Sequence, residues 1–130
     1  GIQGTLNTIV PKYKKLSEYP EEWEAAKLTL DELGIDIGGH NSQMISINVV
    51  EQAHAIIAMD NKVYSLAKNS LTKQFPTYTK KIHRFSELTT NHRAIKDPSA
   101  SGDKELHKKI IGEIQTALVK KYRDILAWVE

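Results

Sequence analysis

Cysteine is absent from this sequence. Without a thiol, disulfides, thiolate metal sites and cysteine nucleophiles are all excluded within the chain. Also missing are an apolar run long enough to span a bilayer and a charged-then-apolar leader of the signal-peptide kind. The expected compartment is therefore the cytosol, with no membrane partner. Neither sign of charge dominates: 18 Lys and Arg stand against 16 Asp and Glu, mostly interspersed, for a formal net charge of +2. That balance fits plain solubility and argues against a nucleic-acid partner. Glycine-rich phosphate loops of the Walker or dinucleotide type are lacking, as is a Gly-x-Ser-x-Gly elbow, so those nucleotide-binding and serine-hydrolase chemistries are not expected. His40, His54, His83, His92 and His107 show neither a pair at helical metal-binding spacing nor an interleaved carboxylate motif. Neither a metal nor another cofactor is expected.

What is present fits one domain over residues 1–130, with 40% hydrophobic and 26% charged residues, no internal repeat and no low-complexity linker. The chain opens on Gly1-Ile2-Gln3-Gly4 without methionine, which suggests a processed, engineered or truncated beginning. Gly1 to Val10 reads as an extended segment, and Pro11 with Lys12, Lys14 and Lys15 as an exposed basic loop or short helical turn. Pro20 to Leu33 is predicted as a helix: Pro20 suits its first turn, Glu21, Glu22 and Glu24 favour the positive end of its dipole, and Trp23, Ala26, Leu30 and Leu33 form an apolar stripe. Gly34 stops it. Ser46 to Ala53 can make a short helix leading into His54-Ala55-Ile56-Ile57-Ala58-Met59, a run of the length expected of a strand buried on both faces, which implies a parallel sheet. Asp60 closes that strand, and Asn61 is expected to cap a helix over Lys62 to Leu71. Lys80 to Phe85 reads as a second, more polar strand at a sheet edge. A long helix from about Asp103 to near the C-terminus carries Leu106, Ile110, Ile114, Leu118, Ile125 and Val129 on one stripe, joined by Ile111, Ala117, Tyr122 and Leu126. Lys108, Lys109, Lys120, Lys121 and Arg123 lie opposite and read as its solvated face. Strands alternating with helices predict an α/β layered domain.

Between the edge strand and the last helix lies Ile95-Lys96-Asp97-Pro98. Proline pushes the preceding residue out of the helical region, so Asp97 leaves the backbone at a defined angle. That suits a proton donor and equally suits a plain turn.

Four short landmarks in order, spread over roughly Leu28 to Leu126, resemble the low-molecular-weight protein-tyrosine phosphatase family, including its arsenate-reductase branch. The end of the first helix, Asp31-Glu32-Leu33-Gly34-Ile35-Asp36, followed by Gly39-His40-Asn41-Ser42, is similar to its Leu-x-x-x-Gly-Ile-Asp…His-x-Ser pattern. Ile56-Ile57-Ala58-Met59-Asp60 resembles its strand ending in Ala-Met-Asp, Ile95 to Pro98 the loop bearing its catalytic aspartate, and the closing helix its last helix. The resemblance implies a three-layer, Rossmann-like or flavodoxin-like parallel sheet flanked by helices. It also implies a phosphate monoester, phosphotyrosine or a small compound, as substrate, hydrolysed through a cysteinyl-phosphate. Asp97 would then be the general acid and base. His40 and Ser42 would support the phosphate loop, and Asp60 would lie at the edge of the site. The local alternatives stand beside these roles: His40 satisfying a turn, Asp60 capping a helix.

The family's Cys-x5-Arg phosphate loop has no counterpart here, nor do its first strand and first helix; by this resemblance the chain would begin near the end of the family's second strand. Ser99 and Ala100 stand where many members carry aromatics that flank a phosphotyrosine ring. The expectation is an N-terminally incomplete phosphatase-like domain, inactive as given, whose gap is filled by an upstream segment, a partner chain or a homodimer. The rival expectations are an arsenate-reductase-like protein, which would need thiols, and a noncatalytic protein-binding or regulatory module.

Overall fold

The computed structural model describes residues 2–3, 15–98 and 101–130. Most of the expected N-terminal extended segment and basic loop, together with Ser99 and Ala100, lies outside the described residues. The elements in chain order are β1 (Ile2–Gln3), α1 (Pro20–Glu32), β2 (Gln43–Met44), α2 (Ile47–Gln52), β3 (Ile56–Ala58), α3 (Leu71–Gln74), β4 (Ile82–Arg84), α4 (Lys104–Lys120) and α5 (Tyr122–Trp128), with single-turn helices between them.

α1 forms where the sequence places it. Pro20 occupies its first turn, Ala25, Ala26, Thr29 and Leu30 turn inward, and Leu33 caps it. Gly34 then adopts φ +71°, a left-handed conformation that glycine enters without a Cβ penalty. This lets Gly34 N–H donate to the Asp31 carbonyl (3.1 Å) and Ile35 N–H to the Leu30 carbonyl (2.9 Å), which together satisfy the helix end. α2 is capped by Ser46, whose Oγ accepts from Val49 N–H at 3.3 Å.

Strand pairing is parallel throughout, but the expected continuous sheet is divided in two. β1 pairs with β2, and β3 pairs with β4 in the register Ile56 to Ile82, Ile57 to His83 and Ala58 to Arg84. No strand among the described residues bridges the two pairs. The molecule is a mixed α/β fold with both faces of β3–β4 covered. Ile56, Ala58 and Ile82 pack with Ile45, Val50 and Leu71 on one face. On the other, Ile57 joins Phe85, Leu88, Ile95, Ile110 and Ala117, while His83 stacks on Trp128 at 4.0 Å. Alternation along the strands thus sends successive side chains to opposite layers.

Two helical expectations need correction. The segment Lys62 to Leu71 is not one helix: a wide π-type turn over Lys62–Leu66 ends at Ala67, whose ψ of 151° is extended, and α3 starts only at Leu71. The break turns Leu71 into the core (4% exposed) and leaves Leu66 outside (70%), so tertiary burial overrides the local stripe. The last helix is interrupted at Lys121 (φ −108°, ψ 21°), and its expected core residues Leu118 and Val129 remain exposed. Among the described residues no helix is long and apolar enough to cross a membrane.

Candidate functional site

The Asp97 segment runs between two fixed points. Ile95 is buried against Phe85, Leu88, Ile110 and Ala117, while Lys96 and Asp97 are exposed in a stretch, residues 93–98, with neither helix nor strand. At the other end, Ser101 N–H donates to the Pro98 carbonyl (3.2 Å) and Ser101 Oγ accepts from Asp103 N–H (3.1 Å). The Ser101 carbonyl accepts a 2.8 Å hydrogen bond from Nε2 of His107, which fixes that nitrogen as the protonated one. His107 is itself 4% exposed, on the inner face of α4. Asp103 caps α4 through Oδ1, which accepts from Glu105 N–H (3.0 Å) and Leu106 N–H (3.3 Å). A Cβ at Gly102 would stand 3.9 Å from Glu21 Cβ, so the segment ends beside the first turn of α1. This geometry leaves the Asp97 carboxylate at the surface, where it can exchange a proton with an approaching oxygen.

The other expected site residues are dispersed among different elements. His40 is exposed and follows a turn in which Asp36 Oδ1 accepts from Gly38 N–H (2.9 Å), with its own N–H donating to the Ile37 carbonyl (3.0 Å). Ser42 is half-buried immediately before β2. His40 and Ser42 therefore lead into the β1–β2 pair, whereas Asp60 leaves the carboxyl end of β3 in the other pair. Asp60 Oδ1 accepts from Val63 N–H at 2.8 Å, so this aspartate, not Asn61, caps the following turn.

Features not anticipated from the sequence stand nearby. Arg84, opposite Ala58 in the register, carries its guanidinium over the Tyr64 ring at 5.2 Å, which places a stacked cation near the end of β3. Lys81 Nζ donates to the Glu51 and Ala53 carbonyls (3.1 and 3.0 Å) and lies over the Tyr78 ring, whose hydroxyl donates to Glu51 Oε1 (2.9 Å). The hydrogen bond to Glu51 raises the Tyr78 pKa above the ordinary phenol value, with desolvation and the Glu51 charge adding to it. The Arg84–Tyr64 contact depends on where two separate turns fall, which no local pattern encodes. The role of His107 had one readable signal, a polar residue on the apolar side of an amphipathic helix.

Comparison with known proteins gives a family. Residues 17–127 match the family model described as low molecular weight phosphotyrosine protein phosphatase. No curated protein and no solved structure matches the chain.

Proposed function

The chain belongs to the low molecular weight phosphotyrosine protein phosphatase family over residues 17–127, and from that premise we propose that it carries the acid–base half of a phosphate-monoester hydrolase with Asp97 as the proton donor. The observation that supports this is the exposed Asp97 carboxylate, held between buried Ile95 and the Ser101–His107 hydrogen bond. In the reaction Asp97 protonates the leaving alcohol oxygen and then, as a carboxylate, takes a proton from the water that opens the cysteinyl-phosphate. The thiolate cannot come from this sequence, which has no cysteine. A Cys-x5-Arg loop from a segment outside it, or from a partner chain, supplies nucleophile and phosphate ligands. His40 and Ser42 brace that loop, and Asp60 borders it. The completed domain is a three-layer one, with the missing strand lying between the two observed strand pairs.

A second reading, a noncatalytic binding module, draws support from the same lack of a thiol. One assay separates the two: aryl phosphate hydrolysis by the chain alone and after addition of a Cys-x5-Arg segment. Under the first reading hydrolysis appears only with the segment, and Asp97→Asn lowers it by about 10²–10⁴. No hydrolysis in either case favours the binding module.

A further inference from the structure

A groove of about 990 Å³ lies between the segment around Leu88 to Ile95 and the later part of α4 from Gly112 to Lys120, with Lys121 just beyond it. Its size is that of a small-molecule site. It is separate in composition from the Asp97 constellation, since none of His40, Ser42, Asp60 or Asp97 lines it. We infer that this groove binds a small organic anion, an aromatic or short aliphatic body bearing a phosphoryl or carboxylate group.

Three observations carry the inference. First, Gly112 sits within α4, where glycine is disfavoured, yet a Cβ there would meet nothing within 4 Å. Neither close packing nor a left-handed backbone calls for glycine at this position, and the space it leaves is the groove.

Second, the facing turn holds two consecutive non-glycine residues in the left-handed region, Asn91 at φ 56° and His92 at φ 53°. Such a conformation is unfavourable and persists only when its surroundings impose it. Here Thr89 Oγ1 reaches the Ser86 and Arg93 carbonyls (3.0 and 2.5 Å), and His92 Nδ1 meets the Ser86 carbonyl at 3.3 Å. These hydrogen bonds hold the rim of the groove in one shape.

Third, the charges are unequal. Of the acids lining the groove, Glu87 Oε2 is occupied by Arg84 N–H (2.6 Å), and Glu113 pairs with Arg93 across the groove at 3.2 Å. Among the cations, Lys120 has no acidic partner among the described residues, and Lys121 reaches Asp124 only at 3.9 Å. Arg93 is largely exposed, so its bridge to Glu113 exchanges readily for a ligand anion, to which a guanidinium can offer two parallel donors. Leu88, Ile95 and Ala117 supply the apolar floor for the body of the ligand.

The test is a titration followed by backbone NMR, with phenylphosphonate and benzoate as probes and benzyl alcohol and inorganic phosphate as controls. Saturable shifts at Gly112, Thr116 and Thr90 are expected with both probes, and the controls should bind at least about tenfold more weakly, because each lacks either the charge or the apolar body. Gly112→Phe fills the groove and abolishes these shifts. Lys120→Ala, at an exposed position, weakens binding several-fold without endangering the fold, and Glu113→Gln, which frees Arg93, tightens it. Asp97→Asn leaves it unchanged. The inference is overturned if no saturable shift appears, if benzyl alcohol binds as tightly as benzoate, or if Lys120→Ala leaves affinity intact. A change in Asp97→Asn would also overturn it, since the anion would then be bound at the proposed acid.

Discussion

The two faces of the β3–β4 pair are closed in different ways. One is covered by short pieces, with Ile45, Val50, Leu71 and Ile82 no more than 6% exposed and sequence-local turns around them. The other is covered chiefly by α4 and α5, whose apolar residues spread beyond the side that packs. Leu118, Val119, Tyr122, Leu126 and Val129 continue the apolar pattern into solvent, with Val119 72% and Tyr122 60% exposed. Burial on the first face is set by where the chain breaks, and on the second by which side of α4 and α5 meets the strands, since Ala117, Ile125 and Trp128 pack while their neighbours in sequence do not.

The sharpest way to break this comparison is Ile82→Ala. Its side chain is 3% exposed at the centre of the short-piece face, and the truncation should cost about 2–5 kcal/mol in chemical denaturation. A loss well below that range would mean that the turns around it can collapse onto the cavity. On the helix face, Trp128→Ala removes the half-buried ring stacked on His83 and should cost about 2 kcal/mol, with a change in the His83 ring signals by NMR. An unchanged His83 environment would show that α5 does not hold this layer. Asp60→Ala removes the acceptor for Val63 N–H and should cost about 1 kcal/mol, while Asn61→Ala should be close to neutral. The reverse order would return the cap to Asn61.

The smallest effect concerns Tyr78, at the edge of the short-piece face. Its pKa is raised mainly by the hydrogen bond to Glu51, so the neutral phenol is favoured in the fold. Any stabilisation this supplies is complete below the ordinary phenol pKa and fades as pH rises through the raised value. Glu51→Gln should move the Tyr78 ring titration to lower pH by NMR. No movement would remove Glu51 as the cause.

Legibility in the sequence followed the same division. Helix periodicity identified α1 and the line of α4, because a repeating stripe is a local property that survives into the fold. Periodicity reports which side chains share a stripe and not whether a neighbour reaches it, so Leu118 and Val129 were expected inside. On the opposite face, Val63, Leu66 and Ala67 look helical, yet burial of Leu71 in the core goes with a break in the segment at Ala67. Of the candidate site, the irregular, proline-bounded setting of Asp97 and the capping alternative for Asp60 were readable. The hydrogen bond from His107 to Ser101 was not, because it joins a helix interior to a loop carbonyl.

That bond has a consequence for how this protein can change. With Ile95 sunk in the core and Ser101 tied to His107, Lys96, Asp97 and Pro98 lie in a cassette pinned on either side. Substitution at Lys96, exposed inside it, alters what the surface offers without asking α4 to move. Loss of either pin would do the reverse, preserving the side chains while releasing the frame that aims them. Diversification of specificity and decay of activity would thus begin at different residues only a few positions apart.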